Sequence, residues 1–272
     1  GSTTQSSVMR RARSTTLRSR ARLIVRVVAL AAWTAWLFAI RVLAACLALF
    51  SPDIERRVRG VIFRAWARGA CAIAGARITV TGTPPSSPYL LVSNHLSYFD
   101  TFVYARLLGC VFVSMVEVDR WPLFGRLARG MNTVFIDRNM RRDAMRVNEI
   151  IGTRLRRGEG ILVFPESTTT YGDRVLPFKP ALLEPAIVAE LPVHHATISY
   201  SAPAGEATPE EAICWVDDTP FLKHAMKLLA LRRFYVSVTF GEAGIVAADR
   251  KALAAALQDA IEKNLNEQRA KS

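Results

Sequence analysis

Tyr89-Leu90-Leu91-Val92-Ser93-Asn94-His95-Leu96-Ser97-Tyr98-Phe99-Asp100 holds an apolar run, a polar break and the start of a second apolar stretch. The run Tyr89–Val92 reads as a short buried strand. It delivers a histidine to the strand end, with a carboxylate five residues on. Imidazole titrates near neutral pH, and a neighbouring carboxylate fixes its tautomer and supports the imidazolium, so His95 and Asp100 suit a general base and its orienting partner. The same residues also fit a helix start, with Ser97 as N-cap and Asp100 at N3 of a capping box, which leaves His95 an ordinary loop residue. On this stretch alone both readings stay open.

Outward from it, strands are expected over 76–81, 89–93, 111–117, 133–137, 161–165, 194–200, 212–217 and 234–240. Helical stretches fall near 99–109, 121–130, 140–157, 180–190, 221–231 and 247–268. Strands alternating with helices argue for an α/β domain, residues 76–272, whose sheet is buried by helices.

The first 75 residues differ. Net charge is +13, and the first 52 residues carry eight arginines and no acidic residue. Residues 1–22 are Ser-, Thr- and Arg-rich and are expected to form a basic disordered arm. Val27–Phe50 is an apolar run interrupted by one charge, Arg41, and a helix of that length would reach about 36 Å. That is enough to cross a hydrocarbon core of ~30 Å. Arginines flank it on both sides, however, and a single crossing cannot keep both flanks on the cytoplasmic face. The favoured reading for 23–75 is a membrane-associated helical hairpin inserted from one side, its break at Ser51-Pro52-Asp53, where proline starts the second helix. In that helix Arg57, Arg64 and Arg68 share a stripe, as in a helix lying on anionic headgroups. Trp33, Trp36 and Trp66 fit interfacial anchors.

Four widely spaced cysteines suggest neither a disulfide framework nor a zinc site. A Gly-x-Ser-x-Gly elbow, a Walker loop and His-Glu-x-x-His are all absent from the sequence. Two later stretches repeat the pattern of an apolar strand running into polar groups. Thr133-Val134-Phe135-Ile136-Asp137-Arg138 could bring a guanidinium, suited to phosphate or carboxylate, to the sheet edge of His95. Ile161-Leu162-Val163-Phe164-Pro165-Glu166-Ser167-Thr168 ends in hydroxyl and backbone donors for an anion. His194-His195 beside a strand reads as structural, and His224 as a surface residue.

Asn94-His95-x4-Asp100, Phe135-Ile136-Asp137-Arg138, Phe164-Pro165-Glu166-Ser167-Thr168 and Leu191-Pro192-Val193 together resemble the four ordered blocks of the PlsC-type 1-acylglycerol-3-phosphate acyltransferases, over roughly residues 75–245. The resemblance implies a mixed sheet covered by helices. It also implies acyl transfer from acyl-CoA or acyl carrier protein to the free hydroxyl of a lysolipid, without metal or cofactor. His95 would be the base and Asp100 its support, while Asn94, Arg138, Glu166, Ser167 and Thr168 would serve acceptor binding. Lysophosphatidic acid is the expected acceptor and lyso-ornithine lipid the alternative. A non-catalytic membrane or nucleic-acid binder is a distant one. An anionic membrane surface, at the cytoplasmic face of the inner membrane, is the expected partner, and no nucleic acid is.

The chain departs from the family pattern in three places. Ser167 stands for the usual glycine, Thr169 for an arginine often found after the third block, and Met115 for a lysine often found before the second. Two lost cations weaken recognition of a phosphate dianion, since each charge-assisted contact contributes about 1.5–3 kcal/mol. The segment Tyr171-Gly172-Asp173-Arg174-Val175-Leu176-Pro177-Phe178-Lys179 resembles a branch that includes lyso-ornithine lipid acyltransferases, and Arg174 or Lys179 could restore the charge.

Overall fold

A computed structural model describes residues 2–46, 51–120, 124–130, 132–137 and 139–270, with backbone alone at 2–16, 52, 56, 124, 127 and 141. Helix α1 (Ser2–Ala45) is followed by α2 (Pro52–Ala74). Ser51 caps α2 by accepting from the Ile54 amide at 3.4 Å, with Pro52 in the first turn, so the chain breaks at the expected place. The hairpin is held by indoles: Trp33 Nε1 donates to Trp66 O (3.2 Å) and Trp66 Nε1 to Thr34 Oγ1 (3.0 Å). Arg41, the one charge in the apolar run, pairs with Glu55 at 2.6 Å. Trp66 is therefore no membrane anchor. It is buried against Phe63 and Phe102, whereas Trp36 is 57% exposed.

The stretch over 1–22, read from its composition as an arm, lies within the span of α1, which begins at Ser2. Once the apolar segment has nucleated a helix, each further Leu, Arg or Ala extends it with little penalty. Its arginines also find partners in the domain. Arg22 donates to Ala230 O, and Arg26 to the carbonyls of Leu229, Leu231 and Arg232, at the end of α9 (Phe221–Ala230). Cations there suit both the open carbonyls and the helix dipole.

Gly75, at φ +86°, ends α2 where a Cβ would strike Arg26 and Arg232 O. The strands that follow are β1 (Ala76–Thr81), β2 (Tyr89–Ser93), β3 (Val111–Met115), β4 (Val134–Ile136), β5 (Gly160–Val163), β6 (Val193–Ser201) and β7 (Phe234–Phe240). They form one mixed sheet in the order β1-β7-β6-β2-β5-β3-β4. Among the described strands β6 and β7 alone pair antiparallel, so β6, β2, β5, β3 and β4 end at one common edge. Alternate residues of β2 enter separate cores. Leu91 packs with Ala67 and Cys71 of α2 and with Val103 of α3 (Phe99–Leu108). Leu90 and Val92 pack with Ile151 of α6 (Arg141–Arg156) and Leu257 of α10 (Arg250–Ala270).

The remaining helices are α4 (Val116–Asp119), α5 (Phe124–Gly130), α7 (Glu184–Val188) and α8 (Pro209–Ala212). The strand expected over 212–217 is not one. Thr208 and Glu211 close a capping box on α8, and both sheet edges are already taken by β1 and β4. The apolar run is buried as a loop instead, with the Trp215 amide donating to Leu96 O at 2.9 Å. His224 also differs from expectation. It is buried, its Nε2 donating to Cys214 O (3.0 Å) and its Nδ1 facing Tyr98 Oη (3.3 Å).

Candidate active site

The loop after β2 is fixed by the groups around it. Ser93 Oγ meets Tyr104 Oη at 2.6 Å. Asn94 turns inward: Nδ2 donates to Ile198 O (2.9 Å) and Oδ1 accepts from Ile198 N (2.8 Å), so its amide bridges to β6. It is 1% exposed. Asn94, expected to serve acceptor binding, thus ties the loop to β6 through both ends of its amide.

His95 is gripped through its backbone. Its N–H donates to Glu166 Oε1 (2.8 Å) and its carbonyl accepts from Thr170 N (2.9 Å). Its ring stacks on Phe164 with centroids 4.0 Å apart and planes 15° from parallel. Nδ1 lies 2.9 Å from Asp100 Oδ2. An ionised carboxylate only accepts, so the proton is assigned to Nδ1 and the lone pair to Nε2. Among the described residues nothing bonds Nε2, and the side chain is 21% exposed.

Asp100 is fully buried. Oδ2 also accepts from the Leu96 (2.7 Å) and Ser97 (3.0 Å) amides, and Oδ1 accepts from Tyr200 Oη (2.5 Å). Ser97 Oγ accepts from Phe99 N at 3.3 Å. The expected capping box forms only by half: Asp100 accepts from Ser97 N, but α3 is preceded by Tyr98 as N-cap without a side-chain cap bond, and the same carboxylate orients the imidazole.

Glu166 ties two segments together, Oε1 to His95 and Oε2 to the Leu176 amide (2.8 Å). Burial pushes its carboxyl up to about 7, against the two N–H donors and with help from the Asp100 charge. It faces the fold and holds backbone. Ser167, where the family resemblance leads one to expect glycine, has φ +64°, in the left-handed region that favours glycine. Thr168 is exposed beside it, and the Thr169 hydroxyl donates to Trp215 O at 2.5 Å. Arg138 lies outside the described residues. Its neighbour Asp137 caps a turn, accepting from Asn139 N (2.9 Å). Met115 is 38% exposed at the end of β3, on the His95 edge. Leu191-Pro192-Val193 begins β6 at the opposite edge, where Val193 exchanges backbone bonds with Ile245. Adjacent residues of β6 point to opposite faces, so His194 and His195 do not form a ligand pair.

The structure thus unites His95, Asp100 and Glu166, sets Ser167 and Thr168 in the adjoining turn, and withdraws Asn94. Sequence reasoning missed Tyr200. The signal open to it was an aromatic hydroxyl at the end of a strand beside that of His95.

Buried acceptors on Asp100 and a free Nε2 on His95 let the site take a proton from a hydroxyl and return it to a leaving group. A family model described as Acyltransferase matches residues 77–200. The lyso-ornithine lipid O-acyltransferase of Brucella abortus is 34% identical over 220 residues, 76% of this chain and 81% of that protein. The 1-acyl-sn-glycerol-3-phosphate acyltransferase of Neisseria meningitidis serogroup B is 32% identical over 188 residues, 68% of this chain and 73% of that protein. In fold the chain is similar to the crystal structure of the 1-acyl-sn-glycerophosphate acyltransferase PlsC from Thermotoga maritima. The TM-score is 0.72 at 16% identity, over 94% of this chain and 98% of that one.

Proposed function

Because the chain belongs to the PlsC-type family of lysolipid acyltransferases, we propose that His95 is the base of an O-acyl transfer onto a lysolipid that lacks a phosphomonoester, of the lyso-ornithine lipid kind. The observation that carries the chemistry is the Nδ1–Asp100 bond, which leaves Nε2 as the reachable base. The acceptor O–H gives its proton to Nε2 as its oxygen bonds the thioester carbonyl carbon. The tetrahedral intermediate then collapses, the C–S bond breaks, and the thiolate leaves with the proton held by the imidazolium. The donor is acyl-CoA or acyl carrier protein.

Met115 and Thr169 support the acceptor class. Both stand where the resemblance leads one to expect cations, and the Thr169 hydroxyl is engaged by the Trp215 carbonyl. Four relatives at 33–34% identity bear the lyso-ornithine name. Lysophosphatidic acid is the second reading, favoured by exposed Arg174 and Lys179 on the loop that Glu166 holds at Leu176. The apolar α1 and the arginines around it support work at the cytoplasmic face of the inner membrane.

Thiol release from acyl-CoA and from acyl carrier protein, measured with each acceptor, tests both levels. Wild type is expected to prefer lyso-ornithine lipid, and His95→Ala to lose about 10²–10⁴-fold in rate. A His95→Ala enzyme at the wild-type rate overturns the mechanism. Faster turnover of lysophosphatidic acid overturns the acceptor reading alone.

A further inference from the structure

We propose that Tyr200 is a positioning residue of the transfer reaction, locking the Asp100 carboxylate in the rotamer that orients His95. It stands outside all four sequence blocks, on β6, and donates to Asp100 Oδ1 at 2.5 Å. The other carboxylate oxygen receives His95 Nδ1 and the Leu96 and Ser97 amides. Among the described residues Tyr200 is the partner recorded for Oδ1, and Asp100 has no exposure through which water could replace it. Two oxygens with separate donors cannot exchange places, so the carboxylate plane is fixed relative to the imidazole. Strand β6 holds this loop twice, by Ile198 on Asn94 and by Tyr200 on Asp100, and so braces the base from a rigid sheet.

The phenol is suited to remain a donor, since burial and the Asp100 charge push its ionisation well above the usual tyrosine range. Asp100 is also faced by Glu166 from the loop after β5, Tyr104 from α3 and Cys214 from the loop after α8. Cys71 of α2 and Cys214 face Tyr200. Of these Glu166 alone titrates near neutrality. Loss of the phenol donor leaves more carboxylate charge directed at the imidazolium and favours the protonated ring.

The inference rests on His95 as the base, which His95→Ala tests separately. Tyr200→Phe keeps the ring that packs on Phe234 and removes the hydroxyl. We expect kcat to fall about tenfold or more, since small misplacement of a catalytic group is costly, while KM for the acceptor stays within about twofold. The acid limb of kcat/KM should move to higher pH, and should do so again in a Glu166→Gln background, where the nearby titration is absent. Fluorotyrosine at position 200, a stronger donor, should move the limb the opposite way, and it serves equally if Tyr200→Phe does not fold. Unchanged kinetics overturn the proposal. So does a lower kcat with an unmoved limb, which marks Tyr200 as packing only.

Discussion

Glu166 carries a consequence that reaches beyond the reaction. Its carboxyl is raised to about 7, first by burial, so the folded state favours the protonated form over a usual value of 4.5. The stability it contributes is therefore fully present below pH 4.5 and is lost as pH rises through about 7. Glu166→Gln cannot titrate, and it sets an amide against the His95 or Leu176 N–H, so it melts lower than wild type in acid. The gap in Tm between the two should narrow from pH 4.5 to 7, because every other ionisable group is common to both. A gap that stays constant across that window overturns the assignment. At this scale the sequence was legible only where chemistry is local. His95 and Asp100 sit five residues apart, across one strand-to-helix turn, and could be read together. The bonds of Asn94 could not be read, since they run to Ile198, a backbone partner 104 residues away. Tyr200 lies 100 residues from Asp100 and had no neighbour in sequence to mark it.

Strand β6 is the element on which the site depends. Its backbone at Ile198 is bonded by both ends of the Asn94 amide, in a place without exposure to solvent. Asn94→Ala leaves a buried N–H and a buried carbonyl without partners, each costing about 1–3 kcal/mol. Urea unfolding should show a loss of about 2–6 kcal/mol by the same reckoning. The loop that carries His95 should loosen as well, lowering kcat more than it raises KM. Stability and kcat both at wild-type levels in Asn94→Ala argue that β2 and β6 hold the loop unaided. Hydrophobic patterning found the seven strands because buried parallel strands such as β2 and β5 are continuous apolar runs and β7 alternates with its burial. It failed at 212–217 for the same reason: an apolar run buried as a loop beneath Trp215 has the composition of a strand, and only the occupied sheet edges exclude it. Composition also cannot report that Arg22, at the end of the basic stretch, bonds the Ala230 carbonyl at the end of α9, 208 residues away.

At the scale of the whole molecule, α1 is the longest apolar surface the chain exposes. The segment Leu17–Ala45 is long and apolar enough to cross a membrane, yet it is fastened to the domain along its length. Arg22 and Arg26 hold α9, Trp33 and Thr34 hold Trp66, and Arg41 holds Glu55. Those contacts extend over about 28 Å of helix, so within the described residues α1 is tied to the domain that carries His95 from Arg22 to Arg41. On its free side Trp36, Phe38 and Leu43 are exposed. Beside it Arg57 and Arg68 are exposed on α2, and among the described residues no carboxylate pairs with either. A basic group near an anionic surface contributes about 1 kcal/mol, roughly fivefold in affinity. Arg57→Gln with Arg68→Gln should therefore weaken binding to vesicles containing phosphatidylglycerol by about twenty-five-fold at low salt, and leave binding to neutral phosphatidylcholine vesicles unchanged. Arg156→Gln with Arg157→Gln removes the same charge elsewhere and serves as the control. If both pairs weaken binding equally, net charge governs the encounter and α2 does not face the membrane. If only the α2 pair does, the apolar side of α1 and the basic side of α2 share one membrane plane, with the domain that holds His95 resting on that side of the bilayer.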